Sequence, residues 1–148
     1  MSPEPDPRTL RAAHFPVRMP MTTRWSDNDV FGHLNNAVYY QLFDSAINRW
    51  VGQALGLDPA ALPAMGVVAE SGCRYLGEAR YPQDVSVGLA VARVGTSSVT
   101  YRPALFTGDD DAPVAVGLWV HVYVDRGSRR PVPLPDVLRS ALEGLRAP

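Results

Sequence analysis

The 148-residue chain is short of several things that mark particular classes of protein. It has one cysteine, Cys73, which excludes an intrachain disulfide framework and a cysteine-rich metal site and fits a reducing compartment. The formal net charge is −1 and no run of basic residues exceeds two, so there is no nucleic-acid footprint. No apolar stretch approaches the ~20 residues needed to span a bilayer. The N-terminus, Met1-Ser-Pro-Glu-Pro-Asp-Pro-Arg8, is acidic and proline-rich where a signal peptide is basic and then apolar. A soluble cytoplasmic protein is the expectation. The three histidines, His14, His33 and His121, are scattered and none belongs to a His-Glu-x-x-His pattern, so no metal and no cofactor are expected.

With 46% hydrophobic and 20% charged residues, the chain can build one domain with a real core. Residues 1–15, with prolines at 3, 5 and 7, read as a flexible arm, and 16–148 as the domain. From Val17 to Trp25 the side chains alternate with period two, which predicts a strand, and Pro20 puts it at an edge or a bulge. From Ala37 to Leu55 the period changes. Val38, Leu42, Ala46 and Trp50 fall four apart with Tyr39, Phe43 and Ile47 beside them, a broad apolar stripe on a helix. Asn35 or Asn36 is the expected N-cap and Gly56 the stop.

Four further strands are expected at 67–76, 85–91, 99–106 and 114–124, with turns at Gly95-Thr96-Ser97 and Gly108-Asp-Asp-Asp111. In the last strand Val114, Val116, Leu118, Val120, Val122 and Val124 share one face, taken as the core. Ala115, Gly117, Trp119, His121, Tyr123 and Asp125 share the other, taken to line a second sheet, an interface or a tunnel. A short tail helix runs from about Pro135 to Leu145. The simplest packing is α+β: one antiparallel sheet curled around one buried helix.

The strand-to-helix junction carries the chemistry. It reads Arg24-Trp-Ser-Asp27-Asn-Asp29-Val-Phe-Gly32-His33-Leu-Asn35-Asn36-Ala-Val-Tyr39-Tyr40. Two carboxylates, a glycine, a histidine and two amides at a helix entrance can aim a carboxylate and backbone N–H groups at one point, as acyl transfer or hydrolysis requires. The first N–H groups of a helix have no intrahelical partner, and the macrodipole places about half a positive charge there. Aspartate is also favoured in turns and caps, which would explain Asp27 and Asp29 without chemistry.

This motif, Asp27-x-Asp29-x-x-Gly32-His33-x-Asn35-Asn36-x-x-Tyr39 followed by a helix ending near Arg49, resembles the hotdog-fold acyl-CoA thioesterases of the 4-hydroxybenzoyl-CoA thioesterase type. Tyr75-Leu76 before a turn ending in Asp84, and Val124-Asp125 before Arg129-Arg130-Pro131, agree with it. The likeness spans roughly residues 16–146. One departure is Gln83, which stands where family members have glycine before Asp84, so a differently shaped loop is expected there.

The resemblance implies a hotdog fold and hydrolysis of an acyl-CoA or acyl carrier protein thioester, with Asp29 as nucleophile or general base and the Asn36 amide as oxyanion donor. Asp27 is then a structural residue binding turn amides. Gly32, His33, Asn35 and Asn36 would position substrate and helix entrance, although the asparagines also suit plain caps and His33 could simply hold the turn. Tyr39, Tyr40 and Phe43 are candidates for the acyl pocket. Ser97, Ser98, Arg126, Arg129 and Arg130 are candidates for coenzyme A contacts, the arginines through its phosphates. Glu70 is a candidate second carboxylate, contributed across a subunit boundary. One sheet around one helix leaves an edge that a second copy would close, so a homodimer or homotetramer is expected. Two other functions stay open: a hydratase or dehydratase of the same fold, with His33 moving protons, and a non-catalytic acyl-binding protein.

Overall fold

The computed structural model describes residues 3–56 and 58–147. Five strands and one long helix follow in the expected order: β1 (Val17–Met21), α1 (Asn36–Leu55), β2 (Ala64–Tyr75), β3 (Val85–Val94), β4 (Ser98–Thr107) and β5 (Ala115–Asp125), closed by a short α2 (Asp136–Leu142). The strands form one antiparallel sheet in the order β1-β3-β4-β5-β2. Helix α1 lies in its concave face, the packing expected of a hotdog fold.

Helix α1 starts where its caps allow. Asn35 accepts the N–H of Ala37 through its side chain at 3.0 Å, and Gly56 ends the helix in the left-handed region at φ 66°. Its buried residues, Val38, Tyr39, Leu42, Phe43, Ala46, Ile47, Val51 and Leu55, are the broad stripe expected from the four-residue spacing. A fully buried phenylalanine such as Phe43 contributes roughly 1.5–3 kcal/mol over an exposed one. Strand β1 is an edge strand holding Pro20, as expected, but it stops at Met21. Trp25 belongs to a 3-10 turn and is 82% exposed. Within β4, Pro103 has no N–H to give, and the ladder to β5 is interrupted between the Tyr101–Trp119 and Ala104–Val116 pairs.

The two faces of β5 are the reverse of the expectation. Ala115, Trp119, His121 and Tyr123 turn toward the helix and are buried, whereas the valine face turns outward and is mostly half-buried. Ring size decides this. Trp119 packs against Tyr40 and Phe43 with centroids 5.6 and 6.4 Å apart, filling a gap between sheet and helix that valines could not bridge. Gly117 makes room for the Phe43 ring: a Cβ there would fall 2.9 Å from both that ring and Pro103.

The N-terminal arm is laid on the convex face rather than loose. Met1 and Ser2 of the expected arm, like Pro148 at the other end, lie outside the described residues. Leu10 and Phe15 are 5% and 6% exposed and form a second small core with Ala90, Ala104, Phe106 and Val116. The Ala12 N–H donates to the Asp111 carbonyl at 2.9 Å. Two buried apolar side chains outweigh what three prolines suggest about order.

Candidate active site

The junction between β1 and α1 is tied down in two layers. Asp27 is buried, and its carboxylate accepts the Arg24 backbone N–H at 2.8 Å and the Arg24 guanidinium at 3.0 and 3.3 Å. Its carbonyl accepts the Asn35 N–H at 2.9 Å, so one residue fixes both the 3-10 turn and the helix entrance. Asn28 does a similar job by its side chain. Its amide donates to the Tyr81 carbonyl at 3.2 Å and accepts the Tyr81 N–H at 3.0 Å, clasping the β2–β3 connection. Leu34, fully buried, donates its N–H to the Ala79 carbonyl at 2.8 Å in the same connection.

Between Asn28 and Leu34, which bridge each other, residues 29–33 make a tight loop. One Asp29 oxygen accepts the Phe31 N–H at 2.9 Å, and the Asp29 N–H donates to the His33 carbonyl at 3.0 Å. Gly32 takes φ 87°, a conformation that favours glycine, and donates its N–H back to the Asp29 carbonyl at 3.1 Å. Asp29 is only half-buried, and its Oδ2 has no hydrogen-bond partner among the described residues. Two N–H groups of the first helical turn are taken, Ala37 by the Asn35 side chain and Val38 by the Asn35 carbonyl. The Asn36 N–H has no partner among the described residues. Tyr75 at the end of β2 donates its hydroxyl to the Asn36 carbonyl at 2.9 Å and leans edge-on against Tyr39, ring centroids 5.0 Å apart.

The structure thus brings Asp29, Gly32, His33, Asn35 and Asn36 into one loop-and-cap unit. His33 brings its ring within 3.8 Å of Glu78, Nε2 to Oε1, and its backbone carbonyl accepts the Asp29 N–H. Tyr39 and Phe43 are buried and Tyr40 half-buried. None of the three lines the cavity under the N-terminal arm, the one between Arg24 and Arg49 or the one beside His121. Around the loop, Trp25, Val30 and Phe31 are 80% or more exposed, an apolar rim with nothing over it in one protomer.

The remaining candidates lie elsewhere. Ser97, Ser98, Arg126, Arg129 and Arg130 sit at the opposite end of the sheet, where β4 begins and β5 ends. Arg126 is committed to the carbonyls of Leu62 and Pro59, and Arg129, at φ 63°, reaches the Met65 sulfur at 3.9 Å. Glu70 pairs with Val120 just after a bulge in β2, which puts it on the outer face, away from the helix and from Asp29. Gln83, in the departing turn, accepts the Arg80 N–H through its side chain at 2.9 Å. Burial pushes the Cys73 thiol up to about 11, so it is no ready nucleophile.

Two features were not anticipated from the sequence. One is the Asn28 clasp, whose partner is 53 residues away. The other is His121, 3% exposed under α1, with Nδ1 unpartnered and its pKa lowered by burial.

A long helix cradled in a five-stranded antiparallel sheet, entered through a carboxylate-bearing loop, defines a hotdog-fold thioester hydrolase. The chain belongs to the thioesterase-like superfamily, whose model matches residues 23–142. It is similar to the PA5185 protein of Pseudomonas aeruginosa, with 41% identity, 93% of this chain and 96% of that one covered, and a TM-score of 0.89. A putative thioesterase of the same organism, PA2801, is 33% identical over 85% of this chain and 95% of that one, TM-score 0.76. A Thermus thermophilus thioesterase complexed with coenzyme A and zinc is 30% identical over 86% of this chain and 98% of that one, TM-score 0.71. Among the described residues no three His, Cys, Asp or Glu side chains converge as a metal-ligand set would. No helix among them is long and apolar enough to cross a membrane.

Proposed function

We propose that this protein hydrolyses an acyl-CoA thioester to the free acid and coenzyme A, with Asp29 acting as general base on water or as nucleophile. The observation that carries this reading is the division of labour at the junction. Asp27 spends its carboxylate on the fold, while among the described residues Asp29 keeps one oxygen unpaired and the Asn36 N–H at the helix entrance is unpaired too. A carboxylate that can attack and a donor that can hold the developing oxyanion are the two parts the reaction needs. The coenzyme A in the Thermus thermophilus relative supports the choice of thioester.

The site is completed by a second copy. Strand β2 is twelve residues long and has β5 as its sole neighbour, whereas the other edge, β1, is five residues long and carries Pro20. An unpaired edge of that length invites antiparallel pairing with β2 of another protomer. Such pairing sets the start of one β2 beside the end of the other. The Arg126–Arg130 turn of one protomer lies about 30 Å from its own Asp29 loop along the sheet, and it is brought toward the loop of the other. Ser97, Ser98, Arg129 and Arg130 then meet the coenzyme across the interface, and the exposed rim of Trp25, Val30 and Phe31 is covered. Tyr39 and Tyr40 flank the acyl group where the two copies meet. Glu70 stays on the face of the joined sheet opposite both helices and takes no part.

The experiment is thiol release from a panel of acyl-CoA and acyl carrier protein thioesters. Replacing Asp29 by Ala or Asn is expected to lower kcat by about 10²–10⁴-fold, the usual worth of a positioned base. Unchanged hydrolysis in both variants would refute the assignment. The His33–Glu78 approach at 3.8 Å is the one geometric point in favour of a hydratase. Enoyl-CoA hydration by wild type without any thiol release would establish that activity instead.

A further inference from the structure

One cavity among the described residues lies away from the Asp29 loop. About 650 Å³ in volume, it lies on the outer face of the sheet, between residues 4–10 of the arm and strands β2, β5 and β4. Its floor is smooth and apolar, formed by Gly72, Val116 and Leu118, and a Cβ added at Gly72 would meet nothing within 4 Å. Its walls carry Arg8, Arg74 and Arg102.

Arg102 is the informative one. Its side chain is only 15% exposed, and its sole ion-pair partner among the described residues is Glu4, Nη2 to Oε2 2.7 Å. A guanidinium so far removed from water needs an anion. The anion supplied here is a 67%-exposed carboxylate near the chain terminus, one that a better ligand can displace. Arg8 is 3.7 Å from Asp6, whereas Arg74 has no ion-pair partner among the described residues. By strand register, Arg74 and Arg102 stand two strands and two residues apart on the same face. That separates their Cα atoms by about 12 Å, a gap two extended arginine side chains can close from either side of a diphosphate. One carboxylate satisfies only Arg102, but a dianion satisfies both guanidiniums.

We propose that this groove binds a small ligand carrying a phosphate or diphosphate group, with Glu4 as an internal competitor for Arg102. The charged group lies between Arg74 and Arg102, and the uncharged part of the ligand rests on the Gly72–Leu118 floor. The site stands independently of the thioesterase reading, because it is on the opposite face of the sheet from α1.

The test is calorimetric titration of inorganic pyrophosphate into the full-length protein at low salt. Wild type is expected to bind, Glu4→Gln to bind several-fold tighter, and Arg74→Met to bind at least several-fold weaker. Gly72→Leu fills the groove without altering a charge and is expected to abolish binding. Arg74 is exposed and Gly72 half-buried on the outer face of β2, so these variants remain informative if Arg102→Met fails to fold. No binding to wild type or Glu4→Gln at millimolar pyrophosphate would overturn the proposal. So would affinity unchanged in both Arg74→Met and Gly72→Leu, or weaker binding by Glu4→Gln. Where binding is found, pyrophosphate competition with acyl-CoA in the thiol-release assay that is lost in Arg74→Met identifies the coenzyme's own diphosphate as occupant. Binding without such competition identifies a separate phosphate-bearing ligand.

Discussion

Asn36→Pro removes one N–H from the helix entrance and disturbs little else. Asn36 is the first residue of α1, a position where proline is tolerated because the N–H has no intrahelical partner there. The preceding Asn35 has φ −57° and ψ 142°, the extended conformation a residue before proline prefers. The Asn35 cap onto the Ala37 N–H at 3.0 Å does not involve the lost group, nor does the Tyr75 hydroxyl on the Asn36 carbonyl. Stability should therefore stay within about 0.5 kcal/mol of wild type, the range of a surface substitution that breaks no special feature. Activity should not. An oxyanion donor is worth ~3 kcal/mol, so kcat is expected to fall by about 10²–10³-fold. Asn36→Ala is the control, because it removes the exposed side chain and keeps the N–H, and its kcat should stay within a few-fold of wild type. Urea melts and thiol-release kinetics on both variants make the comparison. If Asn36→Pro is folded and retains more than about a tenth of wild-type kcat, the amide is not the donor.

Three other perturbations separate what holds the site from what acts in it. Arg24→Met should cost at most ~1 kcal/mol in urea melts, because the guanidinium is 70% exposed and screened. Asp27→Ala should cost about 1–3 kcal/mol, because it strips a buried acceptor from the Arg24 backbone N–H; equal costs would mean that the ion pair, not the backbone bond, fixes the turn. Gly117→Ala should destabilise by about 1–3 kcal/mol by overpacking against Phe43 and Pro103, and a neutral result would show that α1 can lift off the sheet. His121 has its pKa lowered by burial, with Asp44 pulling weakly the other way and Tyr101 and Tyr123 beside it. Below its unfolded value of 6.5 the unfolded chain binds more protons than the native one, so this contribution is fully present above that pH and is lost as pH falls from there through the lowered native value. Chemical melts from pH 7.5 to 5 should show stability dropping, and His121→Gln should flatten part of the drop.

What the sequence made legible was local, and what it hid was the identity of distant partners. The four-residue spacing of Val38, Leu42 and Ala46 marks a helix face whatever lies opposite, and Asn35 and Gly56 bound it by chemistry confined to one turn. Alternation in β5 was equally plain, but a period of two shows that two faces exist without saying which one meets the helix. Both were apolar. The choice fell to the rings, because Trp119 and Tyr123 can span to α1 and the valines cannot, and Gly117 is the hollow that Phe43 requires. The arm misled for a related reason: prolines at 3, 5 and 7 are local signals of disorder, whereas the Phe15 partner Phe106 is 91 residues on, at a centroid distance of 5.6 Å.

The junction follows the same rule at finer grain. Asp27 and Asp29 are chemically identical, two positions apart and equally plausible as turn residues. The resemblance gives them different roles, and the fold separates them physically, burying one against three donors from Arg24 and leaving the other half-buried with one oxygen unpaired among the described residues. Asn28 between them binds Tyr81 on the β2–β3 connection, so the loop that presents Asp29 is held by residues at its base and not by the carboxylate it presents. A reactive group is free to act when its neighbours carry the structural work. Here that requirement supports the proposal of Asp29, rather than Asp27, as the reactive carboxylate.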